Sequence, residues 1–288
     1  MNFIKYRLVS FVFSIFLVAV SVYGLIRYGL VFGVDFTGGS LAEISFSQEE
    51  DQGELARRLA EDGLTVAQVQ RTGSDSLLIR FEGGWEERNR AIDFFAKRNL
   101  NLLRFETVGP TFGQELLKKA LLAIAITVFL ILFYIAWRFR DFNFGLVAVA
   151  AMIHDNLVLL GSFSFLGRLL GAPIDSLFVT AALTTLAMSV YDTVVTFGYI
   201  RDKSGLSFSG QDIERVANEA INATVVRNIN NSWTIIFMLV AVLLLGGETV
   251  RYFSLALLIG TILGTYSSTF LAVPLLVVWQ KSKQKKRS

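Results

Sequence analysis

Hydrophobic positions along this chain fall into long unbroken runs, interrupted once by a segment that alternates instead. Crossing a bilayer as a helix takes roughly 20 consecutive, mostly apolar residues. Residues 8–26, 120–137, 228–247 and 252–280 meet that length without a charged residue. Two further apolar runs carry ionisable groups inside them: 142–166 holds His154 and Asp155, and 176–200 holds Asp192. The pattern therefore predicts six membrane-spanning helices.

Between the first and second spans the periodicity changes. Leu41-Ala42-Glu43-Ile44-Ser45-Phe46 alternates like a strand. Ser47 and Glu50 have the spacing of a capping box. A helix to about Asp62 follows, closed by Gly63. Residues 65–70 and 77–81 read as strands on either side of the turn Thr72-Gly73-Ser74-Asp75. Gly83-Gly84 breaks the chain, 85–99 is amphipathic, and 102–108 is the last strand. The order βαββαβ predicts a small ferredoxin-like α+β domain. The expected organisation is an N-terminus and first helix at 1–32, an α+β domain at 33–112, and a five-helix membrane bundle with a C-terminal tail at 113–288. Residues 212–225 are read as a separate short amphipathic helix on the membrane surface.

Charge orients the spans. Lys5, Arg7, Arg138, Arg140, Arg201, Lys203, Arg215 and the tail Lys281-Ser282-Lys283-Gln284-Lys285-Lys286-Arg287 all fall on one side of a six-span chain. By the positive-inside rule that side is the cytoplasm. Both termini are then cytoplasmic, and the α+β domain lies in the periplasm or its equivalent, outside an inner (plasma) membrane. The first span is expected to stay as an uncleaved anchor. The alternative, a removed signal peptide with Lys5 and Arg7 as its basic end, is disfavoured by the length of the run and the lack of a small-x-small site after it.

Composition narrows the chemistry. Hydrophobic residues make up 53% and charged residues 18%, too apolar for a soluble chain of this length. The basic pI of about 9.1 reflects lysines and arginines beside the spans rather than a nucleic-acid surface. There is no cysteine, which excludes disulfides and thiol catalysis. No hydrolytic triad, phosphate-binding loop or zinc motif is visible, so neither an enzyme, a metal nor a cofactor is expected.

The ionisable residues inside the spans carry what chemistry remains. A carboxyl near a helix centre costs about 2.5–3.5 kcal/mol on insertion scales. It should face the bundle interior or a wet cavity. Thr185, Ser189, Asp192 and Thr196 are three or four residues apart and form one polar stripe. At 1.5 Å per residue, Asp192 sits about 12 Å inside the cytoplasmic end of its helix. Arg227 opens the fifth span, with Asn231 and Thr234 extending its face. Histidine is the one side chain whose unperturbed pKa lies near neutrality, so His154 is a relay candidate. Adjacent positions point about 100° apart, however, so His154 and Asp155 need not share a partner, and a packing hydrogen bond is an equal reading. Gly260, Gly264 and Ser267 or Ser268 give the sixth span a small-residue face suited to close helix packing.

Several motifs, in order, resemble one family. Gly33-Val34-Asp35-Phe36-Thr37-Gly38-Gly39 is similar to the GVDFTGG motif of SecD and SecF proteins. Glu106-Thr107-Val108-Gly109-Pro110, Trp137-Arg138-Phe139, Ile153-His154-Asp155, Asp192-Thr193-Val194-Val195 and Gly264-Thr265-Tyr266-Ser267-Ser268 resemble successive SecF segments. The chain departs from that pattern at Ala187, Met188, Tyr191, Gly198, Tyr199 and Asn228, and keeps Asp192 and Arg227. The resemblance implies a SecF-type subunit that pairs with SecD and uses the proton-motive force to assist preprotein translocation. Asp192 and Arg227 would lie on its proton route, with His154 and Asp155 as further relay candidates. It also implies the SecYEG channel, YajC- and YidC-type proteins, the preprotein and lipid as partners. The motif residues Asp35, Thr37, Gly38 and Gly39 would stand at the outer mouth, where a plain helix-to-strand turn is the competing reading. Half of an RND-type exporter of small molecules or lipids, and a passive scaffold for Sec components, are the alternatives.

Overall fold

The structure, a computed structural model, describes residues 2–46, 51–71, 76–81, 85–98, 100–204 and 212–285. After a 3-10 turn at Ile4–Tyr6, the elements in order are α1 (Arg7–Tyr28), α2 (Val34–Thr37), β1 (Gly39–Ser45), α3 (Gln52–Glu61), β2 (Val66–Arg71) and β3 (Ser76–Phe81). Then come α4 (Trp85–Lys97), β4 (Asn101–Val108), α5 (Pro110–Phe139), α6 (Phe142–Leu170), α7 (Ser176–Ser204), α8 (Asp212–Leu245) and α9 (Glu248–Ser267). A π-helical turn, Ser268–Ala272, runs α9 into α10 (Val273–Lys285). Two compact units result. One contains Met1–Leu30, Ala123–Leu169 and Leu177–Ser288; the other contains Val31–Leu122 and Leu170–Ser176.

In the first unit the six predicted spans are present as helices long and apolar enough to cross a membrane. α6 and the last span are the most enclosed: 67% of the most apolar window of each is buried, against 6% in α5. Small residues let helices touch α6 closely. A β-carbon at Gly161 would overlap Ser21 of α1, and one at Gly24 would meet the Phe165 ring. Near the α5–α6 turn, Phe139 stacks on Phe144 at 5.1 Å, and Phe197 of α7 meets Phe144 edge-on at 5.2 Å. The expected surface helix at 212–225 is instead the first part of α8. Ile213, Val216, Ala217, Ala220 and Ile221 are buried in the bundle core, and no glycine or proline lies between them and Arg227 to break the helix. Glu214 accepts from both Arg7 and Lys281, which ties the start of α8 to α1 and α10.

The second unit is an antiparallel sheet of order β2-β3-β1-β4 with two helices, the ferredoxin-like arrangement that the sequence predicts. Ala42 pairs with Ile79 on one side and Phe105 on the other. Its core gathers Ala42, Ile44, Leu77 and Ile79 from the sheet with Leu55, Leu59, Phe94 and Phe95 from α3 and α4. Asp51 caps α3 by accepting from the N–H groups of Gly53 and Glu54 at 2.7 and 3.0 Å. Gly63, at φ 78°, ends it. The capping box at Ser47 and Glu50, the turn at 72–75 and the break at Gly83-Gly84 lie outside the described residues.

The α6–α7 connection belongs to this same unit. Ile174 pairs with Phe32 in a parallel bridge, with backbone hydrogen bonds from Gly33 to Ile174 at 2.8 Å and from Ile174 to Val31 at 2.7 Å. The Gln70 amide donates to the Leu170 carbonyl. Asp35 accepts from the N–H of Ser176, the first residue of α7, at 3.0 Å. A carboxylate at a helix start satisfies an otherwise orphan donor and complements the helix dipole.

Two outcomes follow from this packing. Asp35→Ala removes a cap worth about 1 kcal/mol, so the first-turn amides of α7 should exchange with deuterium about fivefold faster; unchanged exchange would show the cap to be idle. Gly161→Val forces α1 off α6 and should cost about 2 kcal/mol, read as a lower thermal unfolding midpoint in detergent.

Candidate functional site

The polar stripe on α7 is buried along its whole length: Thr185, Ser189, Asp192 and Thr196 are each at most 8% exposed. What covers it is α9. Gly260 lies against Thr185, where a β-carbon would overlap the methyl group, and a β-carbon at Gly264 would fall 3.2 Å from the Ser189 β-carbon. The small-residue face read from the sequence thus packs on the α7 stripe. α8 closes another side. Thr196 and Thr224 share a hydroxyl–hydroxyl hydrogen bond at 3.0 Å, and Ser232 of α8 bonds Thr265 of α9 at 2.5 Å.

Between α7, α8 and α9 a cavity of about 530 Å³ remains, lined by Ser189, Asp192, Asn231, Ser232 and Thr234 among others. The Asp192 carboxylate has no hydrogen bond with any described residue, and no ion pair within 4.0 Å joins it to Arg227. Arg227 is exposed on α8, one turn before Asn231. The structure therefore brings Ser189, Asp192, Asn231 and Thr234 to one cavity and leaves Arg227 outside its lining. Ala187, Met188 and Tyr191, three of the departures from the family pattern, line the same cavity. A fourth, Asn228, is buried with both side-chain polar atoms lacking a partner among the described residues.

His154 and Asp155 form a second polar centre. One Asp155 oxygen lies 3.0 Å from His154 Nδ1. The other accepts from Ser189 Oγ at 2.7 Å and from Ser267 Oγ at 2.6 Å. Three helices converge on this carboxylate, and His154 and Asp155 touch each other without sharing a further partner among the described residues. His154 Nε2 is buried and unpartnered among the described residues. Ser189 belongs to both centres: its hydroxyl holds Asp155 while the residue lines the Asp192 cavity. Sequence reasoning missed Ser267 as a ligand of Asp155 and Thr224 as a partner of Thr196. In the sequence Ser267 is marked only as a member of the sixth span's small-residue face, which does not identify its partner.

Asp35, Thr37, Gly38 and Gly39 are in the α+β unit. Thr37 Oγ1 donates to the Gly33 carbonyl at 3.2 Å. Gly38 and Gly39 adopt φ of 76° and 116°, which residues with a β-carbon avoid. The segment makes the turn from helix to strand and supplies the cap on α7.

Known proteins share this architecture and sequence. The family described as "Protein export membrane protein SecD/SecF, C-terminal" matches residues 90–282, and the "SecD/SecF GG Motif" family matches residues 23–50. The protein translocase subunit SecF of Anaerolinea thermophila is 36% identical across 98% of this chain and 95% of its own length. That of Thermobaculum terrenum is 36% identical across 97% and 94%. The crystal structure of SecDF, a translocon-associated membrane protein from Thermus thermophilus, superposes with a TM-score of 0.86 at 28% identity over 97% of this chain. The chain spans 38% of that SecDF chain. With two thirds of its residues under one family description and its full length aligned to SecF relatives, the chain belongs to the SecD/SecF family of protein export membrane proteins.

Proposed function

We propose that the chain is the SecF-type half of a SecDF complex. It sits in the inner membrane with both termini cytoplasmic and its α+β unit periplasmic, and draws on the proton-motive force to help preproteins across. The single observation that carries the proton part is the Asp192 carboxylate: inside a membrane span, on a cavity, without a hydrogen-bond partner among the described residues. A carboxylate so placed is costly when ionised, and a proton removes that cost. Moving one charge through 100 mV supplies about 2.3 kcal/mol, enough to bias a two-state helix arrangement. Ionised, Asp192 attracts Arg227 on α8; protonated, it releases it, and α7 and α8 shift. The α6–α7 connection is hydrogen-bonded into the α+β unit, so a shift of these helices reaches that unit through the chain itself.

A SecD-type half, separate or fused, is the expected partner, in keeping with the SecD/SecF family description and the likeness to the SecDF structure. The SecYEG channel, YajC- and YidC-type proteins and the preprotein complete the expected set. The likeness to translocase subunits along nearly the whole length favours export of protein over export of small molecules.

Asp192→Asn, isosteric and permanently uncharged, should insert and fold normally yet lose all proton-driven stimulation of preprotein export into inverted vesicles. Full complementation by that variant would leave only a scaffold role. Intact secretion with a small molecule accumulating in cells lacking the chain would instead point to an exporter. Ser189→Ala should cost about 1–3 kcal/mol, because Asp155 loses a donor in a buried site; a thermal unfolding midpoint equal to that of the unaltered protein would show that water replaces the hydroxyl.

A further inference from the structure

At the α5–α6 turn the membrane unit carries a hollow of about 400 Å³, lined by Trp137, Arg138, Phe139, Arg140 and Arg201. Three of these five residues bear a guanidinium. Arg201 is anchored: it donates to the Arg138 carbonyl at 2.9 Å, pairs with Asp202 at 3.0 Å, and lies 5.4 Å from the centre of the buried Phe139 ring. Arg138 and Arg140 are exposed and have no carboxylate within 4.0 Å among the described residues. The nearest acid in sequence, Asp141, is engaged elsewhere, accepting from Asn143 at 2.7 Å and from Gln280 at 3.0 Å. The hollow thus holds two arginines, Arg138 and Arg140, whose charge no described carboxylate neutralises at ion-pair distance.

A second, independent feature marks the same place. Arg140 has φ 53°, in the left-handed region, at the position just after α5 where helices commonly place glycine. An arginine there gives up backbone ease, and strain of this kind clusters at functional sites. The surroundings indicate depth. Phe129, Phe133 and Tyr134 are exposed along α5 below the turn, and Trp137 is 71% exposed. That is an apolar helix surface ending in an interfacial aromatic, the level of lipid headgroups.

We infer that the Arg138–Arg140–Arg201 hollow binds a phosphate group at the membrane surface, carried by an anionic lipid headgroup or free in solution. Guanidinium forks match phosphate oxygens bidentately, and basic pockets between helices on the cytoplasmic side take anionic headgroups. The site is separate from the Asp192 cavity and is independent of the proton reading.

Native mass spectrometry of the purified full chain, offered phosphatidylglycerol or phosphatidylcholine, tests this. The unaltered protein should retain the anionic lipid several-fold more, and the double variant Arg138→Gln/Arg140→Gly should lose that preference. Glycine suits the left-handed position, so loss of binding with an unlowered thermal unfolding midpoint separates ligand binding from misfolding. Lys203→Gln/Lys283→Gln, with the same change in net charge, should keep the preference. A parallel arm measures the shift in unfolding midpoint with inorganic phosphate in detergent. A shift there that the arginine variant abolishes, without lipid preference, identifies soluble phosphate as the source. Absence of both effects, or equal loss in the lysine control, overturns the site.

Discussion

Polar groups that leave water for a lipid-embedded bundle must find partners on other helices, and the membrane unit is arranged around that constraint. Asp155 is its clearest case. Its carboxylate gathers a histidine from its own helix and hydroxyls from α7 and α9, so three helices are fixed in rotation and depth by one buried acid. A buried polar group that loses a partner costs more than a single hydrogen bond contributes. That asymmetry makes the cluster a register device for the helices around it.

Close approach is what allows such short hydroxyl bridges. Gly260 and Gly264 bring α9 onto α7 at the heights of Thr185 and Ser189, and without them Ser267 would not reach Asp155 on α6. The π-helical turn that follows at Ser268–Ala272 shifts the rotation of the remaining span, so that α10 presents Val273, Leu276 and Val277 to the core. In the α+β unit the same economy appears in backbone form. The motif Asp35-Phe36-Thr37-Gly38-Gly39 turns the chain twice through positive φ and still has a carboxylate free to cap α7.

Much of this was legible in the sequence, for definite reasons. Six spans follow from length and apolarity, and βαββαβ follows from alternation broken at Gly63 and flanked by amphipathic helices, because both patterns are local. The α7 stripe was legible because helical spacing alone puts Thr185, Ser189, Asp192 and Thr196 on one face. What was not legible depends on contacts between distant segments. Residues 212–225 look like a surface helix until Ile4, Arg7 and Lys281 are seen to cover them. The Asp155 cluster joins residues 34 and 112 positions apart, and no periodicity reports such a meeting. The assignment of Asp35 to α7 failed to appear for the same reason: its partner lies 141 residues away.

The two buried acids differ in the one respect that matters for coupling. Asp155 has partners on three helices, which hold it in a single arrangement. Asp192, one helix turn from Ser189, faces a cavity and has no hydrogen-bond partner among the described residues. A group with its partners already in place cannot bias a conformational equilibrium, whereas a group whose partner depends on its protonation can. Ser189 sits between them, bonded to the fixed acid and facing the free one, so any displacement of α7 at Asp192 is resisted at Asp155.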